Sequence, residues 1–421
     1  MTTTDPDLAL TIDLEREASA LDAADPLRRY RDAFVGSETS LVYFDGNSLG
    51  RPPRASVERL ARFATEEWGG RLIRGWDESW MQLPFELGDR IGRSVIGAAP
   101  GQTVIGDSTT VLLYKLVRAA FDAQRAADPA RVEIVIDRDN FPTDRYLVDG
   151  IARERGGRVR WIDVDLAAGV RPDALRAAVG PQTAVVILSH VAYRSGYLAD
   201  AATLTAIAHD AGALVVWDLC HSAGSVPVRS DEWGFDLAVG CTYKYLNGGP
   251  GSPAFVYVAA RHQETLAQPI QGWMGAADVF AMGPDYRPAE GMRRFLSGTP
   301  PIVGMLAMED TLDLIDDAGM PAIRRKSVAL TEFAVRVTDE VLAPLGVTVA
   351  SPRDAAERGG HVTLSHPTMR AVTARLWEGD IIPDYRDPHG LRIGLSPLST
   401  SFAETLTGLR AVAEAVRAEA G

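Results

Sequence analysis

The chain has 421 residues and a formal net charge of -13, with 46% hydrophobic and 24% charged residues. That length exceeds the size at which one hydrophobic core stops growing, so we expect a large domain and a smaller one. The composition is typical of an ordinary globular protein and excludes extended disorder. The acidic balance argues against a nucleic-acid partner, because proteins that bind nucleic acid usually present a basic face to the phosphates.

The cysteine count and the hydropathy pattern indicate in which cellular compartment the protein is expected. Cys220 and Cys241 are too few for a disulfide framework and suit a reducing environment. The first thirty residues are acidic and lack the basic start and apolar core of a signal peptide. No apolar run reaches the length of a membrane span. We therefore expect a cytoplasmic protein without a membrane partner.

The predicted elements alternate between helices and apolar strands. A helical pattern over residues 14–34 comes first and is expected to pack on the smaller domain. Several of the runs that follow are apolar throughout, as expected where both faces of a strand are buried, so the pattern predicts an α/β fold with a mixed or mostly parallel sheet. The predicted strands are residues 103–105, 133–136, 159–164, 184–188, 214–218, 237–242 and 253–258.

A second, smaller α/β unit follows the break at Pro300-Pro301. A long helical stretch leads there to predicted strands near Val347, Val362 and Leu391, and a final helix starts at about Ala403. We predict an N-terminal segment, residues 1–50, that packs with the small domain. A large domain over residues 51–305 and a small C-terminal domain over residues 306–421 complete the prediction.

Lysine is almost absent from the chain. Of 43 basic residues, only Lys115, Lys244 and Lys326 are lysines. Arginine serves equally on a solvated surface but cannot supply the neutral amine that forms an imine. Lys115 and Lys326 are interpreted as solvated helix positions, whereas Lys244 follows a strand and precedes the glycine loop 247–251. Lys244 is therefore a candidate for covalent chemistry, although a lysine near a strand end is, taken alone, more often simply exposed.

The predicted strand 214–218 ends in a carboxylate, Asp218, with His221 three residues later. Such strand ends face the ligand crevice in open α/β sheets. In pyridoxal-phosphate (PLP) enzymes an aspartate at this place keeps the pyridine nitrogen protonated, so that the ring accepts electrons. A metal ligand or a helix N-cap explains Asp218 equally well by itself. Lys244 after the next strand favours the cofactor.

Two further segments suit the same cofactor. Residues 106–110 place hydroxyls and free N–H groups before a helix, which suits a phosphate, although an ordinary N-cap is the more common explanation. Phe141 follows a strand and offers a face to stack on a planar ring, with a core phenylalanine as the alternative. No dinucleotide fingerprint or Walker loop competes, and the scattered histidines form no metal-binding motif.

Six motifs occur along the chain. They are Phe-Asp-Gly-Asn-Ser-Leu-Gly at 44–50, Ile-Gly-Asp-Ser-Thr at 105–109, Asn-Phe-Pro-Thr-Asp at 140–144, Asp-Leu-Cys-His-Ser-Ala-Gly at 218–224, Tyr-Lys-Tyr-Leu-Asn at 243–247 and Gly-Trp-Met-Gly at 272–275. Taken together, in this order and spacing, they resemble the kynureninase family, whose relatives are fold-type-I, aminotransferase class-V-like PLP enzymes. The resemblance covers essentially the whole chain and implies a large domain with a seven-stranded, mainly parallel sheet and a smaller α/β domain.

The resemblance also implies roles for individual residues. Lys244 would hold PLP as the internal aldimine, Asp218 would pair with the pyridinium with His221 nearby, and Phe141 would stack on the ring. Arg392 would bind the substrate α-carboxylate through a two-pronged contact. Trp273 and Thr299, where Thr299 stands in place of the family's frequent asparagine, would come from the second subunit of a homodimer. The other implied cofactor contacts are Thr109, Thr110, Pro142, Thr143, Asp144, Ser189 and Tyr243.

The implied reaction is hydrolysis of the Cβ–Cγ bond of L-kynurenine, or of 3-hydroxy-L-kynurenine, to an anthranilate and L-alanine. It would serve tryptophan catabolism or pyridine nucleotide biosynthesis, with Lys244 moving the proton at Cα and Tyr243 as the candidate acid. A cysteine desulfurase or an aminotransferase would also keep Asp218 and Lys244. The desulfurase needs a thiol on a mobile loop, which the strand contexts of both cysteines disfavour. A non-enzymatic α/β binding protein is disfavoured because lysine depletion spares Lys244.

Overall fold

The computed structural model describes residues 6–420, with the side chains of 12–419, so residues 1–5 of the predicted N-terminal segment and Gly421 lie outside the described residues. The strands are β1 Val42–Tyr43, β2 Thr103–Ile105, β3 Glu133–Asp137, β4 Arg158–Ile162, β5 Thr183–Ser189, β6 Leu214–Asp218, β7 Leu237–Gly240, β8 Phe255–Val258, β9 Thr348–Val349, β10 His361–Ser365, β11 Ile381–Ile382, β12 Asp384–Arg386 and β13 Gly390–Gly394.

The helices connect and cover these strands. They are α1 Pro6–Ala24, α2 Arg54–Arg62, α3 Gly69–Arg71, α4 Leu83–Ile91, α5 Thr109–Ala127, α6 Pro142–Arg155, α7 Pro172–Ala178, α8 Ala201–Asp210, α9 Ala260–Gln263, α10 Ile302–Ala318, α11 Met320–Val337, α12 Met369–Glu378 and α13 Phe402–Ala420. Within residues 6–420, none of them combines the length and the hydropathy needed to cross a membrane.

The largest sheet has seven strands in the order β2-β8-β7-β6-β5-β3-β4. The strands from β7 to β4 pair in parallel, and β8 runs antiparallel to both β7 and β2. The predicted seven-stranded, mainly parallel sheet is confirmed. Its central strands are buried over almost their whole length, and apolar clusters fill both of its faces, as their continuous apolar sequences indicate.

A second sheet of four antiparallel strands, in the order β12-β13-β10-β9, forms the smaller unit with α11, α12 and α13. The short strands β1, β11 and β12 were not predicted, because two or three residues carry no readable periodicity. β1 pairs in parallel with β11, which attaches the segment after α1 to this unit. The boundaries at residues 50 and 305 remain a prediction.

The N-terminal helix is placed differently from the prediction over residues 14–34. α1 ends at Ala24, and a short 3-10 helix occupies Arg28–Ala33. Pro26 explains the break, because proline disfavours the helical conformation of the residue before it. Asp22 then caps α13, accepting from the backbone N–H groups of Phe402 (2.8 Å) and Ala403 (2.9 Å).

Two lysines predicted to be solvated are buried, and that prediction was wrong. Lys115 is 1% exposed, and its Nζ donates to Asp107 Oδ2 at 2.6 Å and to the Phe295 carbonyl at 2.9 Å. Lys326 is 6% exposed and forms an ion pair with Asp25. Sequence periodicity could not reveal these partners, because Phe295 and Asp25 are distant along the chain from the lysines that they meet.

Candidate active site

Three neighbouring strand ends meet at the carboxyl edge of the large sheet. Ser189 at the end of β5 lies opposite Asp218 at the end of β6, and Asp218 lies opposite Val239 of β7. Lys244 follows the end of β7 by four residues. Lys244 and Asp218 are both at least nine-tenths buried. The sequence-based pairing of a buried carboxylate with a buried amine is therefore present at this edge.

Lys244 contacts His221 directly. The distance from Lys244 Nζ to His221 Nε2 is 3.0 Å. Burial holds the pKa of His221 well below its ordinary value, with further lowering by the charges of Lys244 and Arg392. A neutral imidazole accepts at one nitrogen, so Nε2 accepts from the lysine amine and the proton of the ring stays on Nδ1.

The loop that carries Lys244 is fixed by hydrogen bonds at both ends. The Gly50 N–H donates to the Tyr243 carbonyl at 2.8 Å, and the Gly248 N–H donates to the Thr242 carbonyl at 2.9 Å. Asn247 adopts a left-handed conformation with φ of 52° and donates from Nδ2 to the Arg51 carbonyl at 2.8 Å. These contacts end β7 at Gly240, two residues before the predicted end.

Asp218 and Asp144 form the acidic side of the site. Asp218 Oδ1 accepts from the Cys220 N–H at 2.8 Å, and no hydrogen bond within residues 6–420 reaches Oδ2. Asp144 Oδ2 is buried without a hydrogen-bond partner in the same part of the chain. Burial raises the pKa of Asp144 well above its ordinary value, and the charges of Asp218 and Asp137 raise it further. Asp218 thus offers a free oxygen to a ring nitrogen.

The start of α5 carries the predicted phosphate contacts. Ser108 caps this helix, and the hydroxyl of Thr109 is buried without a hydrogen-bond partner among the described residues. Thr110 is exposed beside it. A buried hydroxyl without a partner at the positive end of a 19-residue helix fits a phosphate. Together with Asp218 and Lys244, the residues present suit PLP.

Phe141 and its neighbours lie on the adjacent strand end. Phe141 is 38% exposed, and its ring meets Tyr193 edge to face with centroids 5.5 Å apart. Asn140 Oδ1 accepts from the Phe141 N–H at 2.8 Å and from Ser189 Oγ at 3.2 Å, so it joins the ends of β3 and β5. Pro142 occupies the first turn of α6, followed by the half-buried Thr143. The predicted cofactor contacts at the ends of β3 and β5 therefore lie on the same side of the site.

Arg392 reaches the site from β13 of the smaller unit and is 1% exposed. Nη1 donates to the Tyr193 carbonyl at 2.7 Å and Nη2 to Ser48 Oγ at 2.8 Å, while Asp384 Oδ2 lies 2.5 Å from Nη2 as the countercharge. Nε has no hydrogen-bond partner in the described chain. The guanidinium is thus held in place and keeps an unused donor for a carboxylate.

Tyr243 adjoins the lysine, whereas Trp273 and Thr299 do not. The Tyr243 ring centroid is 5.9 Å from Lys244 Nζ, and burial raises the pKa of Tyr243, so its hydroxyl stays protonated. Trp273 is 39% exposed in a short 3-10 helix, and Thr299 is exposed in the loop before α10. Within residues 6–420, no hydrogen bond, ion pair or ring contact joins either of them to Lys244.

Cys220 lies two residues beyond the end of β6, and Cys241 lies just beyond the end of β7 rather than within it, as the predicted strand 237–242 had placed it. Both are free and buried, and the Cys241 N–H donates to Cys220 Sγ at 3.2 Å. The hydrogen bond with Cys241, together with burial, raises the pKa of the Cys220 thiol. Neither thiol is placed on a mobile loop, which disfavours desulfurase chemistry as expected.

Sequence reasoning missed His361 and the surroundings of Arg392. His361, the first residue of β10, is fully buried next to His221, with ring centroids 5.5 Å apart. Asp384 lies directly opposite Arg392 across β12 and β13. A single histidine after two glycines carries no motif, and the cross-strand pair is visible only once the register is known.

Comparison with known proteins places this site in a family. A protein named kynureninase from Pseudomonas fluorescens is 42% identical over 398 residues, which cover 94% of each chain. Another from Burkholderia pseudomallei is 42% identical over 407 residues and 96% of each chain. Residues 323–412 match the model of the kynureninase C-terminal domain, and residues 149–228 match the DegT/DnrJ/EryC1/StrS aminotransferase family.

Solved structures of similar fold include cysteine desulfurases. The apo structure of cysteine desulfurase from Thermococcus onnurineus NA1 has a TM-score of 0.78 at 21% identity, covering 93% of this chain and 98% of that one. A C-DES mutant with glycine linked covalently to its PLP cofactor has a TM-score of 0.79 at 21% identity, covering 91% and 98%. At this identity the likeness shows the fold alone, and it confirms the predicted fold type I.

The higher identity lies with the kynureninases, at 42% over nearly the whole chain. With the fold, these relatives confirm the predicted cofactor, PLP, and the predicted class of hydrolase acting on a carbon–carbon bond. The desulfurase and aminotransferase alternatives are not favoured. The chain belongs to the kynureninase family.

Proposed function

We propose that the chain hydrolyses the Cβ–Cγ bond of L-kynurenine, and also that of 3-hydroxy-L-kynurenine, releasing an anthranilate and L-alanine. The observation that carries this proposal is the meeting of buried Lys244 and buried Asp218 at two adjacent strand ends, within a chain 42% identical to proteins named kynureninase. The same reaction would serve tryptophan breakdown or pyridine nucleotide synthesis.

The residues divide the work of this reaction among them. PLP, when bound, supplies an electron sink conjugated with the substrate Cα. Lys244 would attach the cofactor and, once freed by the substrate amine, move the proton at Cα. Asp218 would hold the proton of the pyridine nitrogen through its free Oδ2, and Thr109 and Thr110 would hold the phosphate at the start of α5. Phe141 would cover one face of the ring.

Arg392 and Tyr243 would act on the substrate itself. Arg392 would hold the α-carboxylate with its unused Nε donor, which fixes Cα beside Lys244. Water would add to the γ-carbonyl and give a gem-diol. As the Cβ–Cγ bond breaks, one hydroxyl of the gem-diol gives up its proton, the aryl fragment leaves as a carboxylic acid and the electron pair stays at Cβ. Tyr243, whose raised pKa keeps its hydroxyl protonated, would deliver a proton to Cβ and regain the one that the gem-diol releases.

A labelling experiment tests the cofactor assignment. We expect borohydride reduction of the purified holoenzyme, followed by peptide mapping, to place the cofactor on Lys244. Label on Lys115 or Lys326 would contradict the assignment, and both are matched controls because they are also buried lysines. In the activity assay, L-kynurenine should give fluorescent anthranilate and L-alanine in equal amounts. Transamination products alone would overturn the proposed reaction.

We also propose that the active enzyme is a homodimer that shares its sites. Trp273 and Thr299 are partly or fully exposed and make no contact with Lys244 in the described chain, yet the family resemblance implies that they bind the cofactor. Large apolar side chains near Trp273 in sequence are exposed as well, at 63% for Phe280 and 73% for Met282. A two-fold partner would cover this surface and deliver both residues to the neighbouring site.

Subunit complementation tests the shared site. Lys244→Ala protein is mixed, under conditions of subunit exchange, with a protein carrying both Trp273→Ala and Thr299→Ala. Heterodimers then contain one intact composite site, and up to about half of the wild-type activity should return within them. With exchange verified by two affinity tags, no recovery would show that these residues act within their own subunit.

The buried free thiols support a reducing, cytoplasmic location, which we propose on that ground.

A further inference from the structure

His221 has a second nitrogen that the proposed reaction leaves unexplained. Nδ1 of His221 is buried and has no hydrogen-bond partner in the described chain. Nε2 is engaged by Lys244 at 3.0 Å, so the ring proton stays on Nδ1 and needs an acceptor. A buried N–H donor without an acceptor costs about 1–3 kcal/mol. The side chain next to Nδ1 of His221 is therefore a candidate acceptor.

The side chain next to His221 is a second buried imidazole, and it too has ring nitrogens without hydrogen-bond partners in the described chain. His361 is 0% exposed, and neither of its ring nitrogens has a hydrogen-bond partner among the described residues. The two rings have centroids 5.5 Å apart and planes inclined by 57°. A separation of this size is spanned by one N–H···N hydrogen bond of ordinary length, about 3 Å between nitrogens.

Two glycines explain how β10 brings His361 to this place. A Cβ added at Gly359 would lie 2.7 Å from Val191, and one added at Gly360 would lie 2.8 Å from the Tyr245 hydroxyl. Side chains at these positions would therefore push the strand away from the large sheet. With glycine at both, His361 packs against His221 in the loop after β6.

The protonation states of the two rings give the contact a direction. Burial lowers the pKa of His361 well below its ordinary value, as do the charges of Arg392 and Lys244, so both imidazoles are neutral. Each then has one donor and one acceptor nitrogen. The protonated Nδ1 of His221 can therefore donate to the unprotonated nitrogen of His361.

We propose that His361 is a positioning residue that accepts from Nδ1 of His221 and thereby fixes the ring and tautomer with which His221 meets Lys244. The proposed chain of contacts runs from His361 through His221 to the lysine amine. This inference rests on the proposed role of Lys244. His361 touches neither substrate nor cofactor and acts only through His221.

Matched pairs of substitutions separate hydrogen bonding from packing. Asparagine and leucine have the same shape, as glutamine and methionine nearly do, but only the amides can form hydrogen bonds. We expect His361→Leu and His361→Met to lower kcat about tenfold, the effect of one lost hydrogen bond, with a much smaller change in KM. The His361→Asn or His361→Gln protein should recover most of kcat. His366→Gln, one residue beyond the far end of β10, is the control and should match wild type.

Two readouts identify action through His221. In the holoenzyme, the pH midpoint of the imine absorption band should move in the leucine and methionine variants and return towards wild type in the amide variants. In a double-mutant cycle, His361→Leu should have little further effect on this midpoint once His221→Phe is present. The inference would be overturned if the Asn variant behaved like the Leu variant and the Gln variant like the Met variant. Full additivity of His361→Leu and His221→Phe in the cycle would also overturn it. Wild-type protein without an imine band would instead refute the role proposed for Lys244.

Discussion

Asp236 tests how the amino end of the large sheet is held together. This carboxylate is 1% exposed and lies immediately before β7, at the opposite end of the strand from Lys244. Oδ2 accepts from His209 Nε2 at 2.8 Å and from the Val215 N–H at 2.9 Å. Oδ1 accepts from His262 Nε2 at 2.8 Å and from Arg261 Nη2 at 2.6 Å. The starts of β6 and β7 are thereby tied together.

The Asp236→Asn substitution keeps the shape of the side chain but replaces one acceptor oxygen by an NH₂ donor. In one orientation this donor meets the Val215 N–H, and in the other it meets Arg261. Neither group can accept a hydrogen bond. Losing one or two charge-assisted hydrogen bonds at about 1.5–3 kcal/mol each predicts a loss of about 1.5–6 kcal/mol in the free energy of unfolding at neutral pH.

Urea unfolding followed by tryptophan fluorescence measures this difference between the variant and wild type. Burial alone would raise the pKa of Asp236, but hydrogen bonds from His209, His262 and the Val215 N–H hold it well below its ordinary value. Because the folded-state pKa lies below the unfolded-state value, the contribution of the carboxylate is complete above about pH 4 and is lost as the pH falls further. The difference between the two proteins should therefore shrink below about pH 4.

Glu232→Gln is the control, because its ion pair with Arg229 is exposed by 61% and 63% on the two side chains and should contribute less than about 0.5 kcal/mol. If the Asp236→Asn variant were as stable as this control at neutral pH, the stabilising role given to the hydrogen bonds of Asp236 would be refuted. A stability difference that does not change with pH would show that packing, and not the charge, is lost.

Two further predictions concern buried cations near the site. Arg392→Lys keeps the charge but loses the planar fork, so kcat/KM for L-kynurenine should fall by an amount equivalent to about 2–4 kcal/mol, and an unchanged value would remove Arg392 from the substrate site. Lys115→Met leaves the Phe295 carbonyl without its donor and Asp107 without its countercharge, and Asp107 is 36% exposed and partly solvated. Urea unfolding should show a loss of about 1–3 kcal/mol, and a variant as stable as wild type would contradict the structural role given to this ion pair.

The large sheet could be predicted from sequence because its signals are local. Residues 214–218 coincide with β6, and residues 103–105 coincide with β2. Asp218 and Lys244 were found for the same reason, since each follows a readable apolar run. β7 was predicted two residues too long, because the apolar sequence continues past Gly240 while backbone hydrogen bonds turn the chain there.

The partners of buried polar groups could not be predicted, because they depend on contacts between distant segments. Lys115 resembles a surface position until the Phe295 carbonyl is brought to it. Arg392 is fixed by the Tyr193 carbonyl, which lies 199 residues away along the chain, and by Ser48, 344 residues away. No periodicity encodes such pairs. Motif resemblance suggested the role of Arg392 but not what holds it.

These long-range contacts make the site a joint product of both structural units. The large sheet supplies Asp218 and Lys244, whereas β10 and β13 of the smaller unit supply His361 and Arg392. His361 and Arg392 are both essentially fully buried against residues of the large unit, and burying such polar groups is costly unless their partners are in place. A shift of the smaller unit would therefore separate His221 from His361 and Arg392 from the Tyr193 carbonyl together. Under the roles proposed above for Arg392 and His361, substrate binding and the orientation of His221 beside Lys244 would depend on the same interface.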